Sequence, residues 1–159
     1  MSAFPSEFVR SLPKAELHVH LEGTVSAATL LELAERHRVD APADDIEGIE
    51  RWYRFDDFDQ FLERYFHIIA LLQTPEDFAL VAERYLLEAH EQGVVHVELH
   101  VSATGHIVES GHRWATIQDG IVAGCASAAT ATGISWCLIP DISPHLPIDA
   151  TFRAIEEVL

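Results

Sequence analysis

The sequence predicts an α/β protein in which parallel strands alternate with helices. Three stretches have strand character, at residues 15–21, 94–102 and 134–143, and segments of helical periodicity separate them. Strands spaced by helices pair in parallel through right-handed crossovers. Because three parallel strands make a poor complete sheet, we expect the chain to be part of a larger fold.

The first strand alternates between apolar and polar residues, so its side chains are expected to divide between two faces. The two faces are Leu17, Val19 and Leu21 on one side and Glu16, His18 and His20 on the other. We expect the apolar face to pack against helices. The second strand alternates in the same way and places His96, Glu98 and His100 on one face.

The remaining elements are predicted from capping and stop signals. Ser26 is a candidate N-cap for a helix over about 27–38, and Asp56 or Asp57 for the next helix. Thr74, followed by Pro75 and two acids, is a strong helix start, and Gly93 and Gly133 are candidate stops. Further helices are predicted over 115–132 and from 148, whereas 39–54 and the segment after Ser102 are expected to be irregular.

His18 and His20 form a candidate metal site. In a strand their Cα atoms lie roughly 6.6 Å apart on the same side. That spacing lets both imidazoles reach one metal ion, to which each would bond at about 2.0–2.1 Å. The alternative, from the residues alone, is a pair of buried histidines with a purely structural role. A second possible metal group is formed by His96, Glu98 and His100.

Composition narrows the classes of partner. The 26 acidic and 10 basic residues give a formal net charge of -16, which repels the phosphates of nucleic acid. The apolar runs are too short to cross a bilayer, so no membrane partner is expected. Two cysteines, Cys125 and Cys137, are too few for a disulfide framework, and a cytoplasmic location is the expectation. The sequence predicts no particular oligomeric state.

Residues 12–24, "LPKAELHVHLEGT", resemble the first-strand signature of the adenosine deaminase family in the amidohydrolase superfamily. "FDDFDQFLERYF" is similar to the family's gating helix, and "GVVHVELHVS" to its second strand. The resemblance implies a (β/α)8 TIM barrel of the metal-dependent hydrolase type. Because that barrel has roughly 300 residues or more, residues 1–159 would be the N-terminal part of one barrel domain, about three β/α units.

The resemblance also implies a set of site residues. His18 and His20 would be ligands of a catalytic Zn²⁺, which lowers the pKa of bound water to about 7 for attack on an adenine ring. Contacts with the purine substrate are expected from His20, Glu22, Phe58, Phe61 and Leu62. Glu98 would be a supporting hydrogen-bonding group. The family takes its third histidine ligand, proton-donating glutamate and metal-binding aspartate from later strands, so no catalytic residue is assigned in this chain.

Several alternatives stay open at this point. Adenosine, giving inosine and ammonia, is the leading substrate, but Glu22 stands where adenosine-selective members carry Asp. Adenine and 6-aminodeoxyfutalosine are therefore alternative substrates. Four side chains of the predicted gating helix have core spacing as well as gate spacing: Phe58, Phe61, Leu62 and Tyr65. Asp141 lies where barrels place functional groups or caps. Another amidohydrolase activity and a non-catalytic half-barrel are the alternatives of other classes.

Overall fold

The computed structural model describes residues 6–143 and 146–159. Within them the strands are β1, Lys14–His20; β2, Val94–Val101; and β3, Ser135–Pro140. The α-helices are α1, Ser6–Ser11; α2, Ala27–His37; α3, Ile46–Trp52; α4, Phe58–Leu71; α5, Pro75–Glu91; α6, Ala103–Glu109; α7, Trp114–Thr132; and α8, Ile148–Val158. A short 3-10 helix, Leu21–Thr24, follows β1 directly.

The three strands form one parallel sheet in the order β1-β2-β3, as the sequence predicts. Helices α5 and α7 supply the crossovers and pack closely together. A Cβ added at Gly124 of α7 would lie 2.2 Å from the Ala79 carbonyl oxygen of α5, so only glycine permits this approach. The core between these helices and the sheet contains fully buried Phe78, Ile117 and Leu99.

Strand β1 contains a bulge that the predicted alternation missed. Glu16 pairs with Val97 and Val19 pairs with Leu99, so β1 uses one residue more than β2 between the same two positions. His18 lies within this extra stretch with a φ of 64°, in the left-handed region. Such a bulge moves the residues before it to the opposite face.

The bulge corrects the predicted faces of β1. Glu16 lies on the helix side of the sheet, beside the buried Val97, and its carboxylate accepts a hydrogen bond from the Tyr85 hydroxyl of α5. Leu17, expected against the helices, is instead 60% exposed. Glu16 is therefore not part of the face that carries His18 and His20.

Most predicted helix starts and stops are confirmed. The side chain of Ser26 accepts from the amide of Thr29, and Asp57 rather than Asp56 caps α4. Thr74 forms a reciprocal capping box with Asp77 at the start of α5. The two predicted glycine stops, Gly93 and Gly133, have φ angles of 85° and 78°.

Two short helices lie where the sequence analysis expected irregular chain. Helix α3 is capped by Asp45 and buries Ile49, but one buried anchor gives no periodic signal. Helix α6 begins with four buried residues, Ala103 to His106, that are small or polar and therefore resemble a loop. In the part of the chain described by the structure, no helix is both long and apolar enough to cross a membrane.

Candidate active site

A cavity of about 230 Å³ lies at the carboxyl ends of the three strands. This is the end where parallel α/β sheets and barrels place their functional groups. Its lining residues are His20, Gly23, Phe61, Leu62, Tyr65, Ser102, Asp141, Ile142 and Ser143. The structure thus brings together three of the predicted site residues, His20, Phe61 and Leu62, and adds Asp141 from the end of β3.

Three imidazoles gather beside this cavity. The ring centres of His18 and His20 are 5.3 Å apart, and His100 of β2 stacks on His18 with centres 4.1 Å apart. Two imidazoles bound to one tetrahedral zinc at about 2.0–2.1 Å place their ring centres about 5 Å apart. The 5.3 Å separation of His18 and His20 fits such a pair, and so does the 5.5 Å separation of His20 and His100. His18 and His100, stacked at 4.1 Å, lie too close together to share one ion in this way.

His20 has an acidic partner that orients its ring. Its Nδ1 lies 3.1 Å from an Asp141 carboxylate oxygen. Burial raises the pKa of Asp141, as does the nearby Glu22 carboxylate, while His20 and His18 oppose that rise. Because Nδ1 faces the carboxylate, Nε2 is the His20 nitrogen that is turned to other partners.

Across residues 6–143 and 146–159, no three His, Cys, Asp or Glu side chains are arranged to hold a metal ion. The alternative group on β2 therefore lacks support, and His96 instead bonds the Ser135 hydroxyl through Nδ1 at 2.8 Å. Burial lowers the pKa of His100, with further lowering from His18 and His20 and an opposing contribution from Glu98. Glu98 is half-buried on β2 near this cluster, and its supporting role stays a prediction.

Glu22 is fully buried next to the cavity, with no exposed surface. One carboxylate oxygen, Oε1, accepts from the Ser102 amide at 2.8 Å and lies 3.0 Å from Nε2 of His106. The other, Oε2, accepts from the Tyr65 hydroxyl at 2.9 Å. The acid thereby joins the end of β1 to helices α4 and α6.

These partners fix the charge state of the Glu22 network. Burial alone would raise the pKa of Glu22, but the hydrogen bond and positive potential of His106, with backbone donors, lower it below its ordinary value. Burial and the Glu22 carboxylate together raise the pKa of Tyr65 above its ordinary range. Tyr65 therefore remains a neutral donor, and Glu22 an anionic acceptor.

Helix α4 forms one wall of the cavity with its first half. Phe61, Leu62 and Tyr65 line the cavity and are partly exposed. Phe58 is 68% exposed and stacks on Phe61 at 5.8 Å between ring centres, but it does not line the cavity. The buried stripe lies in the second half of the helix, at Ile68, Ile69 and Leu71. The gating role of the first turns stays a prediction.

The sequence analysis missed two members of the site, Ser102 and His106. Ser102 directly follows β2, a position that strand-end reasoning could have selected. His106 lies one helical turn after Ser102 and is fully buried against Glu22. A polar residue with no periodic context gives no signal for a partner that lies 84 positions away.

Comparison with known proteins identifies the fold and then the family. The chain superposes on an adenine deaminase from Arthrobacter aurescens with a TM-score of 0.83 and 31% identity, covering 91% of this chain and 44% of that one. It also superposes on a zinc-bound amidohydrolase from Burkholderia ambifaria with a TM-score of 0.85 and 28% identity, covering 99% and 44%. The fold is therefore the first part of an amidohydrolase TIM barrel. The chain belongs to the adenosine deaminase family, whose model matches residues 13–158.

Curated relatives point the same way. The adenine deaminase of Bordetella parapertussis is 37% identical over 153 residues, which cover 96% of this chain and 48% of that protein. The adenine deaminase of Chlorobium luteolum is 40% identical over 139 residues, covering 87% and 40%. The chain thus spans about half the length of the curated relatives it matches.

Proposed function

We propose that this chain is the N-terminal part of a barrel domain that hydrolytically deaminates an adenine-type purine. Family membership and the adenine deaminase relatives support the reaction class. A partly apolar cavity at the strand ends, walled by aromatic side chains, suits a flat purine ring. We favour free adenine over adenosine, which reverses the order that the sequence analysis gave.

The state of Glu22 is the observation that carries this choice. A carboxylate selects a nucleoside by accepting a hydrogen bond from a sugar hydroxyl. Here Oε1 already faces two donors and Oε2 a third, and the side chain has no exposed surface. A sugar hydroxyl brought to this wall would lose its bonds to water without gaining this acceptor, which disfavours the nucleoside.

His18 and His20 are the residues of this chain that would hold a Zn²⁺ ion, together with ligands from elsewhere in the whole protein. A catalytic zinc supplies a water molecule of lowered pKa as the nucleophile. Asp141 keeps the His20 ring oriented through Nδ1. Phe61 and Leu62 line the cavity beside His20 and supply apolar surface for the purine ring.

The activity is tested with the intact gene product that contains this chain. Purified protein is supplied with adenine or adenosine, and ammonia release and the ultraviolet shift to the 6-oxo purine are followed. We expect the protein to turn over both adenine and adenosine at one site, with the higher kcat/KM for adenine. Turnover of neither compound would contradict the proposal, and a higher kcat/KM for adenosine would contradict the substrate assignment.

Metal content tests the assignment of His18 and His20 separately from activity. His18→Ala and His20→Ala are each expected to lower the zinc content of the intact protein well below that of the wild type. His96→Ala is the matched control, since His96 is a strand histidine of the neighbouring β2 whose Nδ1 is engaged by the Ser135 hydroxyl. Unchanged zinc in both test variants, measured by elemental analysis, would remove the assignment.

A further inference from the structure

Tyr65 is the only hydroxyl of the described residues for which the structure shows a hydrogen bond to the Oε2 oxygen of Glu22. Its ring lines the site cavity, stacks on Phe61 with centres 5.8 Å apart and meets the His20 ring edge-on at 6.3 Å. Glu22 itself does not line the cavity. Tyr65 therefore stands between a buried anion and the space where a ligand would lie.

The two oxygens of Glu22 differ in how firmly they are held. A carboxylate offers about four lone-pair positions, two on each oxygen. Ser102 and His106 both approach Oε1 from the β2–α6 side of the site. Oε2 receives Tyr65, so loss of that one hydroxyl would leave a buried anionic oxygen in need of a new donor.

The cavity next to Tyr65 is large enough to hold the sugar of a nucleoside. A second cavity of about 530 Å³ shares Gly23, Phe61 and Tyr65 with the site cavity. A Cβ added at Gly23 would meet no atom within 4 Å, so this junction is open. The obstacle to a larger ligand at this wall is therefore the lack of a free acceptor rather than the lack of room.

We propose that the Tyr65 hydroxyl is a specificity-determining group, which occupies Oε2 of Glu22 and so withholds that acceptor from a sugar hydroxyl of the substrate. This inference rests on the proposed function and names its discriminating group. Without the hydroxyl, Oε2 would lose its donor, and a ligand hydroxyl that entered the vacated position from the adjoining cavity would supply the missing one. Removing one hydroxyl is thus expected to improve the handling of the nucleoside relative to the base.

Tyr65→Phe is the test variant, because it deletes one hydroxyl and keeps the aromatic wall. In the intact gene product we expect the ratio of kcat/KM for adenosine to that for adenine to rise about tenfold, mainly through KM for adenosine. The dissociation constants of the two purines, measured by calorimetry, should change in the same direction. Tyr85→Phe is the matched control: it removes another tyrosine–glutamate hydrogen bond, to Glu16 on the helix side of β1.

The outcomes separate this inference from the proposed function. Suppose that the wild type turns over adenine and that the adenosine-to-adenine kcat/KM ratio of Tyr65→Phe is within twofold of the wild-type ratio. That result overturns the inference but leaves the proposed function standing. An equal change of this ratio in Tyr85→Phe overturns the inference as well, since a general loss of structural order would then explain both results. A wild type that neither binds nor deaminates either purine overturns both. A rise in Tyr65→Phe alone, with thermal stability near that of the wild type, supports the role of the hydroxyl.

Discussion

Asp77→Ala is expected to be strongly destabilising, because this carboxylate joins three parts of the chain. Its side chain is fully buried at the start of α5. Oδ1 accepts from Arg36 at 2.8 Å, and Oδ2 lies 2.7 Å from Nε2 of His37, both at the end of α2. Oδ2 also accepts from the amides of Gln73 and Thr74, in the turn that leads out of α4.

The loss of stability in Asp77→Ala follows from the buried polar groups that the substitution leaves without a partner. Removing one partner of a buried ion pair costs about 3–5 kcal/mol, and loss of a helix cap costs about 1 kcal/mol. Because Arg36 is 36% exposed and can be rehydrated, we discount the ion-pair cost to about 2 kcal/mol, which with the cap gives about 3 kcal/mol in total. For a barrel of roughly 300 residues, whose unfolding entropy is about 2.1 cal/mol/K per residue, this corresponds to a Tm lower by roughly 5 °C.

The stability difference between wild type and Asp77→Ala should decrease at acid pH. Burial opposes ionisation of Asp77, but the hydrogen bonds from the Thr74 and Gln73 amides, with those of the Thr74 and His37 side chains, hold its pKa below the ordinary value. A depressed pKa means that the contribution is complete above the unfolded-state pKa of about 3.9 and is lost as the pH falls toward the folded-state pKa. The difference between wild type and Asp77→Ala should therefore narrow as the pH falls below about 4.

The assay is urea unfolding of the intact protein, followed by far-ultraviolet circular dichroism at several pH values. Glu76→Ala is the matched control, since Glu76 lies next to Asp77 in the first turn of α5 but is exposed. We expect it to change stability by about 0.5 kcal/mol or less. An Asp77→Ala effect no larger than that of Glu76→Ala, or one that grows below pH 4, would refute the reasoning.

Three further outcomes are expected. Gly124→Ala should lower the free energy of unfolding in urea by about 1–3 kcal/mol, because the added Cβ would meet the α5 backbone. Val122→Ala, on the exposed side of α7, should lower it less. Equal losses in the two variants would contradict the close approach of the helices. Phe61→Ala should raise KM for adenine more than Phe58→Ala in steady-state assays, since only Phe61 lines the cavity; the reverse order would contradict the described wall. Glu22→Asp should change the adenosine-to-adenine kcat/KM ratio, because the shorter side chain cannot keep all three of its hydrogen-bond partners. An unchanged ratio would show that Glu22 does not determine substrate specificity.

Local signals in the sequence were sufficient for the main elements. Alternation of apolar and polar residues located β2, and the Thr74–Asp77 capping box and the Gly133 stop defined the ends of α5 and α7. These features act between residues at most a few positions apart, so a linear pattern records them. The contiguous "LPKAELHVHLEGT" stretch was likewise enough to indicate the family.

Tertiary structure decided the features that depend on distant partners. The bulge at His18 arises from the pairing of β1 with β2, and it placed Glu16 on the helix side, against the predicted alternation. The short helices α3 and α6 depend on one or a few buried residues and carry no periodic pattern.

The sequence by itself determined that His18, His20 and Glu22 lie together at the end of the first strand, because two- and four-residue spacings fix positions along a strand and turn. Only the tertiary structure decided what Glu22 contacts. Tyr65 and His106 lie 43 and 84 positions away, and the chain brings them to one carboxylate only when α4 and α6 pack at the carboxyl ends of the strands. Burial then gives those contacts their strength, since an anion removed from water must be fully paired within the protein.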